Sequence, residues 1–297
     1  MDNELKEMSF WDHVDDLRRV ILRSVGAIIL LSVVFFTLMP RIFDSIILAP
    51  CHSDFILYRL LCDLSQHTSI LPDFCNDHFE VKLINIQLAS QFFIHMSTSM
   101  WIALLFAFPY VIYQLWTFVS PGLYAGEKRH ARGAFLAGNI MFFIGIGVGY
   151  FLVFPLTLRF LAEYQVSEMV PNQISLDSYM SNFLTLNFIM GLVFELPLLC
   201  WLLSNMGLIT RRFFKTYRRH AIVILLILAA FITPSSDPFT LSVVFVPLYA
   251  LYELSAWVVK PASQKDDGNS EEDSNEILED RKRAKNKDRI PKRKGLI

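Results

Sequence analysis

The chain of 297 residues is 54% hydrophobic and only 19% charged, below the roughly one-quarter charged fraction of soluble domains, and its mean hydropathy is positive. These values exclude an ordinary soluble domain and identify a membrane protein. The formal net charge of −1 conceals segregation, with long apolar runs in the middle and an almost wholly polar end, so net charge carries no information about partners; separately, no nucleic-acid partner is expected.

In chain order, the amino terminus MDNELKEMSFWDHVDDLRR is acidic and lacks the basic region, short apolar core and small-residue cleavage site of a secretory leader, so the first apolar run is expected to stay as an anchor. That run, 20–39, is about the length of a hydrocarbon-spanning helix and is expected to stop at Pro40, where a helix interior would lose a hydrogen bond. A polar, irregular insert over 40–82 carries Cys51, Cys62 and Cys75. Apolarity resumes over 83–118 as a long second span with its kink at Pro109. The segment 109–132 then leaves the membrane through interfacial aromatics (Tyr113, Trp116, Phe118, Tyr124), Pro121, Gly122 and Gly126, and ends in a rigid charged corner holding Glu127 among Lys128, Arg129 and Arg132.

A third span over 134–154 offers Gly138, Gly145, Gly147 and Gly149 for close helix approach and closes at Pro155. The fourth covers 179–203. After a basic loop come 220–232 and 239–259, separated by TPSSDP at 233–238. Thirteen residues at about 1.5 Å each cover only about 20 Å of a core some 30 Å thick, so the fifth span is mismatched to the bilayer. The tail over 261–297 is acidic, then basic, and is expected to be disordered, solubilising the end or lying on anionic lipid.

Of the 27 Lys and Arg, four precede or enter span one, three lie in the second-to-third loop, five in the fourth-to-fifth loop and eleven from Lys260 to the end, whereas the three opposite loops share Arg41, Arg59, Lys82 and Arg159. The positive-inside rule therefore predicts six spans with both termini and the Glu127 corner in the cytoplasm.

No Gly-rich phosphate loop, paired metal-binding histidines or Ser-His-Asp arrangement is present, so neither enzyme, metal nor cofactor is expected. The insert's cysteines fit no tight zinc spacing; a disulfide between Cys62 and Cys75 is expected, with three free thiols as the alternative. Glu195 lies within NFIMGLVFELPLLCWLL, where a carboxylate is costly unless neutral, hydrated or paired. It reads as a proton-coupling group, as a polar handle for a partner helix, or as a residue satisfied internally by Asn187 or Gln114. Asp15 and Asp16, beside Arg18 and Arg19, stand at the mouth of span one. Acids favour a helix start, but a helix beginning near Ser9 would leave capping to Ser9 and Asp12.

The segments HVDDLRR at 13–19, FPYVIYQLWTFVSPGLYAGEKR at 108–129, FLVFPLTLRFL at 151–161, FELP at 194–197, RRHAIVILLILAAFITP at 218–234 with Asp237, and VPLYALYE at 246–253 together resemble the TatC family, the multispanning receptor subunit of the twin-arginine protein translocase. The resemblance implies an all-α, cup-shaped bundle of six transmembrane helices with short fifth and sixth helices, in the bacterial inner membrane. It implies a non-enzymatic receptor for the twin-arginine signal peptides of folded cargo, working on the proton-motive force, oligomeric, and assembled with single-span TatA-type and TatB-type partners. The family's signal-binding acids fall on Glu127 and Asp16, with Lys128, Arg129 and Arg18 beside them. Glu195 matches the polar residue where partner helices dock, with Gln114 nearby, and Asp237 an acid of the outer turn. Two features depart from the family pattern: aspartate stands at 16 and valine at 20 where glutamate and a second basic residue are usual, and the first outer loop is longer. The alternative is a proton-coupled transporter of a small solute using Glu195.

Overall fold

A computed structural model describes residues 10–67, 79–119, 125–167, 169, 172–205, 207–233 and 237–259, with the backbone alone at 10, 12, 64, 66–67, 119 and 125–132. Among the described residues the regular structure is helical apart from a two-residue parallel strand pair, β1 (Leu83–Ile84) against β2 (Ile174–Ser175), and an isolated antiparallel bridge between His52 and Glu80. Helix α1 (Phe10–Ile42) has 33 residues and passes through Pro40, against the expected stop. The proline leaves the Phe36 carbonyl without its usual amide donor four residues on, and His95 Nε2 meets that carbonyl at 2.9 Å.

Beyond α1 the chain winds through a π-turn (Phe43–Ile47) and a 3-10 turn (Ala49–Cys51). Three tyrosine hydroxyls satisfy carbonyls here: Tyr150 donates to Ile46 O at 2.8 Å, Tyr179 to Ile47 O, and Tyr58 to Pro50 O at 3.1 Å. The insert is not irregular throughout, because it contains α2 (Ile56–His67). This helix is anchored by buried Tyr58, whose ring packs edge-on to Phe79 and tilted to Phe55.

Helix α3 (Ser90–Val119) starts seven residues later than the expected 83 and runs unbroken through Pro109. Helix α4 (Ala125–Val148) leads through a π-turn (Gly149–Val153) into α5 (Phe154–Glu163). Pro155 thus opens a further helix instead of closing the third span, because a proline is tolerated in a first turn whose amides lack partners anyway. Ser175 caps α6 (Leu176–Val193) by accepting from Ser178 N. The fourth helical stretch breaks at Phe194–Glu195, and α7 (Leu196–Asn205) follows. Pro197 explains the break, since it cannot donate to Val193 O and crowds the preceding turn.

Helix α8 (Arg211–Ile232) begins nine residues ahead of the apolar run 220–232, and α9 (Pro238–Val258) packs against it. Five stretches, His13–Cys51, Ser90–Phe118, Gly133–Glu163, Leu176–Asn205 and Pro238–Val258, are long and apolar enough to cross a membrane by length and composition; α8 carries five cations in its first nine residues. The core joins α5, α6, α8 and α9 around Phe154, Tyr179, Leu186, Met190, Ala229, Val244 and Leu248. Lipid is as apolar as these side chains, so helix association rests on close packing and interhelical hydrogen bonds. Gly145 of α4 lies against Met190 O and Phe194, and Gly191 of α6 against Phe142. Gly138 and Gly149 also stand at close approaches, but Gly147, expected to join them, has nothing within 4 Å of where a Cβ would sit. The charged tail lies outside the described residues.

Candidate functional site

The corner expected around Glu127 is framed by three helix ends. The His13 ring of α1 stacks on Phe118 at the end of α3, with centroids 4.2 Å apart, and Trp116 of α3 contacts Phe135 of α4 at 4.7 Å. Glu127 is the third residue of α4, with Lys128 and Arg129 following in the same turns. A carboxylate there is favoured by the partial positive charge of the helix start. The side chains at 125–132 and residues 120–124 lie outside the description. Five residues separate the end of α3 from the start of α4, so the chain passes from the Phe118 end of α3 to the helix start that carries Glu127 within a span of at most about 20 Å.

One turn beyond His13, Asp16 accepts from Arg19 Nη1 at 3.3 Å, its side chain half exposed. Arg18, the cation assigned to the site from the sequence, is exposed; its neighbour Arg19 is the residue that pairs with Asp16. Asp15 is exposed as well. Because α1 already begins at Phe10, neither aspartate caps it. Such an exposed i,i+3 pair contributes about 0.2–0.5 kcal/mol, so Asp16 is only weakly engaged by Arg19.

A second site lies at mid-span. The break before Pro197 turns Glu195 towards α4, where a Cβ on Gly138 would stand 2.9 Å from Glu195 Oε2 and 3.4 Å from Oε1. Glu195 Oε1 is buried and has no hydrogen-bond partner among the described residues. Neither expected internal partner serves it: Asn187 Nδ2 donates to Phe183 O at 2.7 Å, and Gln114 Nε2 to Tyr110 Oη at 2.7 Å. Gln114 is itself buried, at 6% exposure, and so presents no free face to a partner helix. Asn139, beside Gly138, was missed in the sequence; it donates to Phe135 O at 2.8 Å while its Oδ1 is buried without a donor. Glu195 Oε1 and Asn139 Oδ1 are thus two buried acceptors that no donor among the described residues satisfies.

Asp237 has a structural explanation. It caps α9, its Oδ1 accepting from Phe239 N at 3.0 Å and Thr240 N at 2.9 Å, with Thr240 Oγ1 donating to Oδ2. In the insert, Cys62 is disulfide-bonded, Cys51 is a buried free thiol and Cys200 a half-buried one; Cys75 lies outside the described residues.

Arg159, counted in the sequence among loop charges, is 4% exposed. Its guanidinium sits over Tyr58 and Phe79, 5.3 and 5.2 Å from the ring centroids, and pairs with Glu163 at 3.0 Å. Burial pushes the Tyr58 phenol above its ordinary pKa, partly opposed by Arg159, so the hydroxyl remains a donor to Pro50 O and Pro155 O. At the opposite ends of α8 and α9, Arg218 bonds Tyr249 and Glu253, and Tyr252 Oη donates to Phe214 O at 2.7 Å.

Comparison with known proteins gives the family of the chain. Residues 12–247 match the family model described as Sec-independent protein translocase protein (TatC). The chain is 34% identical over 267 residues to the Sec-independent protein translocase protein TatC of Blattabacterium sp. subsp. Periplaneta americana, covering 89% of this chain and 100% of that one. It is 31% identical to the TatC of Deinococcus radiodurans, covering 84% and 85%. Two crystal structures of the twin arginine translocase receptor TatC match at 28% identity. One has a TM-score of 0.62, covering 83% of this chain and 97% of that one; the other, in the detergent DDM, has 0.66, covering 84% and 99%.

Proposed function

Because the chain belongs to the TatC family of Sec-independent protein translocase proteins, we propose that it is the subunit that receives twin-arginine signal peptides, with Glu127 and Asp16 as the two acids that hold the paired arginines. It is a multi-pass inner-membrane component of that translocase, and its work is transport, not enzymatic chemistry. The carrying observation is the His13–Phe118 stack, which holds the Asp16 end of α1 against the end of α3 from which the chain passes to Glu127. A guanidinium is a planar fork that matches a carboxylate bidentately, and two arginines in series engage two acids. A charge-assisted hydrogen bond contributes about 1.5–3 kcal/mol, more than the Asp16–Arg19 pair it replaces. Lys128 and Arg129 follow Glu127 in the sequence and Arg18 lies two residues from Asp16; in this reading these cations disfavour a lone basic side chain that cannot bond bidentately. Both termini are cytoplasmic in this reading, α8 supplying the fifth of six crossings, and subunits assemble with one another and with TatA-type and TatB-type helices, the latter supplying donors to Glu195.

A signal peptide carrying a photo-reactive residue next to its arginine pair tests the assignment. Adducts should map to the starts of α1 and α4 and should fall at least tenfold when the pair is changed to lysines. Adducts confined to α8 and α9, or equal for both peptides, would sink it.

A further inference from the structure

The hydrogen bond between His95 and Phe36 joins two irregularities that look unrelated in the sequence. Pro40 sits inside α1 and has no N–H, so the Phe36 carbonyl four residues back lacks its helical donor. His95 of α3 stands opposite, with its ring stacked on that of Phe36 at 4.1 Å and 13° and its Nε2 2.9 Å from the stranded oxygen. A carbonyl can only accept, so this geometry selects the tautomer with hydrogen on Nε2.

Helix α1 depends on this seam. Among its described residues only Ser24 and Met39 are buried, and its ring contacts with α3 are His13–Phe118, Phe35–Phe106 and Phe36–His95. Stacked and tilted rings slide with little change in energy, whereas a hydrogen bond to one carbonyl fixes one register. From Phe36 back to Asp16 is twenty residues, about 30 Å of helix. A tilt of about 10° at the outer end would therefore move Asp16 by about 5 Å, beyond hydrogen-bond reach.

We propose that His95 is a positioning residue: by donating to the carbonyl that Pro40 strands, it fixes α1 on α3 and keeps the Asp16 end of α1 in place at the Glu127 corner. The consequence for Asp16 rests on the receptor reading above; the coupling between His95 and Pro40 does not.

The test is a double-mutant cycle on the full-length chain in detergent, scored by reversible unfolding in SDS. H95F keeps a flat ring on Phe36 and removes the donor, and should lower the folding equilibrium between about 3-fold and about 18-fold, the range from the mean to the largest interhelical hydrogen bond measured in a membrane bundle. P40A restores an amide within α1, so H95F in that background should cost nothing. An equal loss in both backgrounds, or none in the native one, overturns the proposal. If P40A does not fold, H95Q carries the test: recovery towards the native value supports a donor role, and a loss equal to that of H95F refutes it. Binding of a twin-arginine peptide is the second arm. Affinity should fall several-fold in H95F and recover in the P40A/H95F double variant; full affinity in H95F would refute the link to Asp16. A peptide indifferent to Glu127 would instead defeat the receptor reading, and the unfolding cycle would still decide the role of His95.

Discussion

Gly145 and Gly147 stand two residues apart on α4, and alanine at each should have opposite effects. At Gly145 the new Cβ would lie 2.6 Å from Met190 O, 2.7 Å from Phe194 Cβ and 2.8 Å from Phe194 Cγ. None of these atoms is the free end of a flexible chain, so α4 and α6 must move apart. Overpacking of this kind costs about 1–3 kcal/mol, and the gain from replacing a helical glycine, about 0.8–1.0 kcal/mol, offsets only part of it. G145A should therefore be destabilised by up to about 2 kcal/mol. At Gly147 nothing lies within 4 Å, so only the propensity gain remains and G147A should equal or exceed the native stability. G138A lies between: its clashes, 2.6 Å to Leu198 Cδ2 and 2.9 Å to Glu195 Oε2, are with side-chain ends that can swing away, so stability should hold while the Glu195 carboxylate moves. Reversible SDS unfolding of the three purified variants measures this. G145A as stable as G147A would refute the packing argument.

Other outcomes follow from single groups. D237A should lose about 0.5–2 kcal/mol through the cap of α9, with D237N recovering most of it; faster amide exchange at Phe239 and Thr240 in D237A alone is the signature. Y58F strips one hydroxyl from two carbonyls, Pro50 O and Pro155 O, and should cost about 1–3 kcal/mol, read as a lower melting temperature. E195Q should leave stability near native while weakening cysteine crosslinks from a neighbouring position to a single-span partner; unchanged crosslinks would remove Glu195 from the partner surface.

Much of the architecture was legible because a bilayer imposes long apolar runs, and their order and cation pattern survive any detail of packing. What was not legible depends on contacts between distant segments. Pro40 reads as a helix stop by its local chemistry, and the donor that lets α1 continue comes from His95, 55 positions away. Arg159 resembles any loop cation until Tyr58 and Phe79 are seen to enclose it. Gly147 shares the spacing of its neighbours and simply faces away from α6. At the proposed site, the acids are named from the motif alone, and the stack that joins the start of α1 to the end of α3 could have been sought from the aromatic residue types at 13 and 118. The Asp16–Arg19 pair follows from i,i+3 spacing alone, whereas the lack of a donor at Glu195 Oε1 required knowing that Asn187 and Gln114 are engaged elsewhere.

The central claim is that Glu127 reads the arginine pair by bidentate hydrogen bonding. The direct measurement is the affinity of the full-length chain for a twin-arginine peptide and its twin-lysine counterpart, with native Glu127 and with E127Q. The native chain should prefer arginine by at least tenfold, about 1.4 kcal/mol, and E127Q should lose most of that preference; the same preference in both proteins would contradict the account.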